Sequence, residues 1–118
     1  MLHAESTHRD HAVIEQVIAD LKDSALAHLP SGVFTANAAW LVCATIAHNL
    51  TRAAGALAST FHARARTATI RAQLINTPTR IARSAHQLLL HLPQHWPWQD
   101  GLDELFHRAL HDPLPTAA

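Results

Sequence analysis

The sequence is poor in the features that mark secreted, membrane and phosphate-binding proteins. It has one cysteine, so no internal disulfide can form, and Cys43 lies in an apolar run that predicts a buried, inert thiol. No run of 18 residues is both apolar and uncharged, which argues against a membrane span. The start "MLHAESTHRDH" lacks the apolar core of a signal peptide and predicts a cytoplasmic protein. Three isolated glycines form no phosphate-binding loop, and 118 residues make one domain or a piece of one.

The net charge of zero conceals an uneven distribution of charge along the chain. Residues 1–23 contain five acids and two bases, and residues 100–118 contain four acids and one arginine, so each end carries a net charge of −3. Residues 24–99 contain no acid and six arginines: Arg52, Arg64, Arg66, Arg71, Arg80 and Arg83. This distribution predicts a basic surface, although arginines spread along helices are also typical of ordinary solvated faces.

The spacing of apolar residues and helix breakers predicts a mainly α-helical protein. An amphipathic helix is predicted over residues 8–28, and "PSG" at residues 30–32 ends it. A long helix is predicted over residues 33–60 with Thr35 as its N-cap, and its residues 36–47 are apolar nearly all round, which predicts burial. A basic helix from about Ala65 to Asn76, a short β-hairpin near residues 80–92 and a terminal helix in "QDGLDELFHRALHD" complete the prediction.

One edge of the first predicted helix carries a stripe of polar side chains. His8, His11, Glu15 and Lys22 fall within a sector of about 60° that borders the apolar face. A carboxylate at such an edge can reach into a cleft while the core holds its helix, as a metal-binding acid must. The same stripe is typical of an ordinary surface helix. A zinc site of His8, His11 and Glu15 is a further interpretation, but no cysteine pair or clear fourth ligand accompanies them.

A second polar stripe runs along the long predicted helix. Asn37, Thr45, His48 and Arg52 gather on one side of an otherwise apolar cylinder. Such a seam either packs against another polar surface or pairs with the backbone of neighbouring loops. The sequence leaves both interpretations open.

Three segments carry a longer pattern: "HAVIEQVIADLKD", "PSGVFTANAAWLVCATIAHNLTR" and "RIARSAHQLLLHLPQHWPW". In this order they resemble the C-terminal part of bacterial insertion-sequence transposases of the group 1 DDE type, over about residues 8–98. The resemblance implies a ribonuclease H-like catalytic core. In that core two aspartates on or near strands and a glutamate on a later helix hold two divalent ions, Mg²⁺ or Mn²⁺, for DNA strand cleavage and transfer.

The family's glutamate lies in a signature of Tyr, two residues, Arg, three residues, Glu, six residues and Lys. Those four positions correspond to His8, His11, Glu15 and Lys22, the same residues as the polar stripe. By this resemblance Glu15 is the third metal-binding acid, and Lys22 contacts a DNA phosphate near the cleaved end. His8 and His11, which replace the Tyr and Arg, would lie beside the DNA.

The chain's other acids do not supply the two aspartates of the family pattern. All six aspartates and Glu104 lie in acidic helical ends rather than on apolar strands, at Asp10, Asp20, Asp23, Asp100, Asp103, Glu104 and Asp112. We therefore expect a C-terminal fragment of a transposase that is inactive alone and binds no metal tightly. It should also expose an apolar face around Val17, Leu21, Trp40 and Leu41, and would then self-associate or be poorly folded.

Two rival interpretations belong to other functional classes. A small helical DNA-binding or regulatory module would use the arginine-rich segment 52–83, with Arg52, Arg64, Arg66 and Arg71 contacting phosphates. A metal-binding helical protein would use His8 and His11.

Overall fold

The computed structural model describes residues 13–84 and 86–111 of the chain. The described residues are mainly helical and include one antiparallel hairpin, which confirms the predicted fold class. In chain order the elements are α1 (13–22), α2 (Phe34–Ala58), α3 (Thr60–Arg64), α4 (Thr67–Ile70), a π-helix (Arg71–Ile75), β1 (Arg80–Ser84), β2 (Gln87–His91) and α5 (Gln99–His111). The chain divides into two compact units, an N-terminal unit (Met1–Leu50) and a C-terminal unit (Thr51–Ala118).

Helix α1 ends six residues earlier than predicted. The Ser24 hydroxyl donates to the carbonyl oxygens of Asp20 at 2.8 Å and Leu21 at 3.2 Å. The Leu26 amide also donates to the Leu21 carbonyl at 3.0 Å, so the chain turns instead of continuing the helix. A serine that bonds to the preceding turn competes with the helical backbone pattern. The predicted end at residue 28 is therefore wrong, and the predicted start at residue 8 lies outside the described residues.

Side-chain hydrogen bonds hold the backbone that leads into α2. The Asn37 carboxamide accepts from the Ser31 amide at 3.2 Å and donates to the Ser31 carbonyl at 2.8 Å. The Ser31 hydroxyl in turn accepts from the Val33 amide at 3.0 Å. Helix α2 begins at Phe34, so Thr35 lies within its first turn and is not the N-cap. The Trp40 indole donates to the Ala25 carbonyl at 2.8 Å and ties α2 to the turn that follows α1.

The core of the C-terminal unit forms where α2, the π-helix and α5 meet. Its buried residues are Ala58, Ile70, Leu74 and Leu102, and Ile70 has no exposed surface. Partly buried Ala65, Leu92, Trp98 and Leu105 pack around them. Gly55 allows this close approach, because a Cβ at that position would lie 2.6 Å from Ile70 Cδ1 and 2.9 Å from the His62 carbonyl oxygen.

The predicted helix from Ala65 to Asn76 is divided in the structure. Ala65 and Arg66 have extended backbones, with ψ of 155° and 153°, so α3 stops before them and α4 starts after them. After α4 the helix widens into the π-helix. In the last hydrogen bond of the π-helix, the Asn76 amide donates to the Arg71 carbonyl at 2.7 Å. The predicted end near Asn76 is confirmed, and the prediction of one continuous helix is wrong.

The hairpin predicted near residues 80–92 is confirmed. Strands β1 and β2 pair antiparallel, with His86 in the turn at a φ of 68°. A two-residue hairpin turn requires a positive φ of this kind, and His86 provides it. The paired residues are Arg80 with His91, Ile81 with Leu90, Ala82 with Leu89, Arg83 with Leu88, and Ser84 with Gln87.

The N-terminal unit buries little of its apolar surface. Among its described residues, 13–50, only Asp20 and Ala44 are buried. Within α2, Trp40, Leu41, Val42 and Ile46 are exposed, and Cys43 is exposed as well. The predicted burial of residues 36–47 and of the Cys43 thiol is therefore wrong for this chain, because no described element covers this part of α2.

Candidate active-site glutamate and nucleic-acid interface

The structure describes two of the four residues in the predicted polar stripe, Glu15 and Lys22. Both lie on α1, seven residues apart, and both side chains are exposed. Seven residues are close to two helical turns, so the two side chains project from the same side of the helix. The carboxylate and the ammonium group can therefore face one ligand together. His8 and His11 lie outside the described residues.

Glu15 has no set of metal-binding neighbours in the described part of the chain. No group of three or more His, Cys, Asp or Glu side chains that could hold an ion is found between residues 13 and 84 or between 86 and 111. The acids of the C-terminal unit that the structure describes, Asp100, Asp103 and Glu104, lie on α5, and Glu104 is paired with Arg108 at 2.6 Å. The hairpin strands contain no acid.

The predicted DNA-binding arginines fall into two groups. The guanidinium of Arg52 is half-buried and donates to the carbonyl oxygens of Ala65 at 2.5 Å and Ala63 at 2.6 Å. Its role in the structure is to hold the α3–α4 connection. Arg64 is exposed at the end of α3, Arg66 is exposed on that connection, and Arg71 is half-exposed at the start of the π-helix. Arg64 also borders a shallow depression with Thr60, Phe61 and Ala65.

The polar seam of α2 pairs mainly with backbone. Asn37 bonds to the Ser31 backbone, and Arg52 bonds to the carbonyls described above. The Thr45 hydroxyl donates to the Leu41 carbonyl of its own helix at 2.9 Å. Only His48 differs, because its buried Nδ1 has no hydrogen-bond partner in the described structure. Pairing with loop backbone is thus the interpretation that Asn37 and Arg52 support.

A buried polar network in the C-terminal unit was missed by sequence reasoning. His62 is 3% exposed, and its Nδ1 lies 2.7 Å from the Ser59 hydroxyl while its Nε2 lies 3.0 Å from Gln73 Oε1. Because the Gln73 oxygen can only accept, Nε2 donates to it, and Nδ1 shares its hydrogen bond with the Ser59 hydroxyl. The spacing of Ser59 and His62 suggests a helix N-cap in the sequence, but nothing local indicates Gln73. The network fastens α3 to the π-helix and offers no reactive group to solvent.

The sequence model described as "Transposase DDE domain group 1" matches residues 3–112, nearly the whole chain. The chain belongs to this transposase family. No curated protein and no solved structure matches it.

Membership of this transposase family implies a role in DNA transposition and hence contact with DNA. The matched span includes Glu15 and Lys22 of α1, the exposed arginines and the hairpin. None of the described helices is long and apolar enough to cross a membrane.

Transposases of this family generally use divalent metal ions. The described residues of this transposase chain do not fit a metal pair by themselves, because Glu15 is a single exposed carboxylate on α1. An active pair of ions needs several converging oxygen ligands.

Proposed function

We propose that this chain supplies the glutamate-bearing helix of a DDE transposase active site together with the helical region that follows it. In this proposal Glu15 is the third metal-binding acid of a ribonuclease H-like core, and Lys22 holds a DNA phosphate. The observation that carries the proposal is the family match, which includes both residues. Their exposure on one side of α1 supports it, because ligands of a shared site must project from the same face.

The same proposal makes the chain a part of the active site that does not cleave DNA alone. One carboxylate binds hydrated Mg²⁺ poorly. The acids Asp20 and Asp23, like those of α5, lie on or beside helices and join no metal-binding group in the described structure. Other carboxylates must complete the site.

We expect the purified chain to show no nicking of DNA that carries insertion-sequence ends, in either Mg²⁺ or Mn²⁺. Its activity should equal that of the Glu15→Gln variant at every metal concentration, because a lone carboxylate gives no ion pair. Supercoiled plasmid relaxation on gels measures this directly. Metal-dependent nicking that disappears in Glu15→Gln would contradict the proposed inactivity.

A second proposed role is DNA binding by the exposed arginines around the α3–α4 connection. Arg64 is exposed there, and no acid lies between residues 24 and 99. The surface around Arg64 is therefore expected to be positively charged and to attract the phosphates of DNA. Arg52 is left out of the proposed surface because its guanidinium already bonds two carbonyl groups.

Arg64→Ala is expected to weaken binding to duplex DNA and to flatten the salt dependence. Loss of one phosphate contact should change the slope of log K against log salt by about 0.9. Arg108→Ala is the matched control, because it removes the same charge from α5, where Arg108 pairs with Glu104. Fluorescence anisotropy across a salt series gives both slopes. Equal salt slopes for the two variants would show that Arg64 does not contact a DNA phosphate.

The exposed apolar face of the N-terminal unit is proposed as the surface that the rest of a transposase domain covers. Val17, Trp40 and Leu41 are 38%, 40% and 47% exposed, and Leu21 is half-buried. A helix that is apolar all round is normally buried on all sides. Without that cover, we propose that the isolated chain self-associates through this face.

A further inference from the structure

The hairpin has one charged edge and one edge without charge. Strand β1 carries Arg80 and Arg83, whereas β2 reads "QLLLH" and has no Asp, Glu, Lys or Arg. All five residues of β2 are exposed. In the described part of the chain the sheet has only these two strands, so no further strand pairs with the outer edge of β2. Uncharged, apolar edges of this kind are the ones that pair with other strands.

The register of the hairpin determines which groups face outward from β2. In a hairpin with a two-residue turn, the residues that flank the turn exchange hydrogen bonds, and every second pair along the ladder does the same. Ser84 with Gln87 is the flanking pair, so Ala82 with Leu89 also exchanges bonds across the hairpin. Leu88 and Leu90 lie between these pairs. Their amide and carbonyl groups therefore point away from β1.

The sequence of β2 is suited to antiparallel pairing with the same strand of a second copy of the chain. An antiparallel pair centred on Leu89 places Leu88 opposite Leu90 of the second copy and Gln87 opposite its His91. In this register the outward-facing residues, Leu88 and Leu90, meet each other and can exchange both hydrogen bonds. Apolar residues meet apolar residues and polar residues meet polar residues, so one register satisfies the backbone and the side chains together.

We propose that β2 pairs antiparallel with β2 of a second copy of this chain, with Leu89 on the two-fold axis. The result is a four-stranded sheet in the order β1, β2, β2, β1. A two-stranded hairpin is marginal alone, and a sheet of three or more strands with an apolar face is more stable. Association through β1 would instead bring four arginines together. Because two five-residue strands bury a small area, the pairing is weak and depends on concentration.

Disulfide trapping tests both the contact and its register. With Cys43 replaced by serine, Leu89→Cys should form a covalent dimer under mild oxidation. Residues directly opposite at a pair without hydrogen bonds have Cα atoms about 4.5 Å apart, within disulfide range. Ile81→Cys on β1 is the control. Ile81 is 64% exposed and Leu89 is 44% exposed, so greater exposure cannot explain faster trapping at Leu89. Covalent dimer should form at least about tenfold faster from Leu89→Cys than from Ile81→Cys, because strand pairing raises the effective concentration of the Leu89→Cys thiol.

Proline substitution tests the hydrogen bonds. Leu90→Pro removes an outward amide of β2 and leaves the hairpin ladder intact, so it should slow trapping through Leu89→Cys to the rate of the Ile81→Cys control. Ile81→Pro, at the paired position of β1, should leave trapping unchanged, and circular dichroism checks that both variants fold. Trapping reports the strand contact even if the chain also associates through its helical face. Equal rates for Leu89→Cys and Ile81→Cys, no covalent dimer, or no effect of Leu90→Pro would each overturn the proposal.

Discussion

Replacing Gly55 with alanine is expected to lower the free energy of unfolding of the C-terminal unit by about 2 kcal/mol, because the packing there leaves no room for a methyl group. The new Cβ would lie 2.6 Å from Ile70 Cδ1 and 2.9 Å from the His62 carbonyl oxygen. Ile70 is fully buried in the core, and the His62 carbonyl belongs to the backbone, which cannot move aside as a side-chain end can. The helix propensity gained from alanine, about 1 kcal/mol, is smaller than the cost of this overlap.

The chain offers two matched controls for this substitution. Gly32→Ala meets nothing within 4 Å and should leave stability nearly unchanged. Gly101→Ala places its Cβ 3.3 Å from His62 Cε1, so its effect should fall between the other two. Urea denaturation followed by far-ultraviolet circular dichroism gives the three free energies. If Gly55→Ala were as stable as Gly32→Ala, the close contact of α2 with Ile70 would be refuted.

Replacing Leu41 with lysine is expected to raise the dissociation constant for self-association about thirtyfold, or about 2 kcal/mol, if the exposed apolar face of the N-terminal unit holds copies together. Leu41 is 47% exposed in the isolated chain, so the substitution should cost little folding stability. Sedimentation velocity over a concentration series measures the association. A lysine at an apolar interface loses burial and adds an unpaired charge, which explains the size of the effect.

Asn49→Lys is the control for the added charge. Asn49 is exposed on the same helix, and its substitution removes no apolar side chain. It should shift the association far less than Leu41→Lys. A wild-type chain that stays monomeric at all concentrations, or equal effects of the two substitutions, would contradict association through this face.

Local sequence signals predicted most of the elements but not their interruptions. The hairpin and α5 were predictable because alternation, helical spacing and breakers act over a few residues. The break at Ala65 and Arg66 was not, because Arg52 holds it from 13 residues away. Burial of residues 36–47 was predicted from composition alone. Composition shows that a helix needs cover, but it does not show whether this chain provides that cover.

The candidate site was predictable only in part for a similar reason. Helical spacing placed Glu15 and Lys22 on one side of α1, where both are exposed. Spacing also suggested that Asn37 and Arg52 belong to one seam, but it could not show their partners, which are backbone groups of Ser31, Ala63 and Ala65. Which arginines remain exposed depends on such tertiary contacts. The roles of Glu15 and Lys22 stay predictions that biochemistry must test.

Cleavage by a completed active site tests the central proposal most directly. The chain would be mixed with a polypeptide of the same family that carries the two aspartates but ends before its own glutamate helix, in the nicking assay with Mg²⁺ or Mn²⁺. We predict cleavage with the wild-type chain and with Asp23→Asn, which removes a carboxylate from the turn after α1. We predict none with Glu15→Gln. Cleavage that survives Glu15→Gln would show that Glu15 is not the third metal-binding acid.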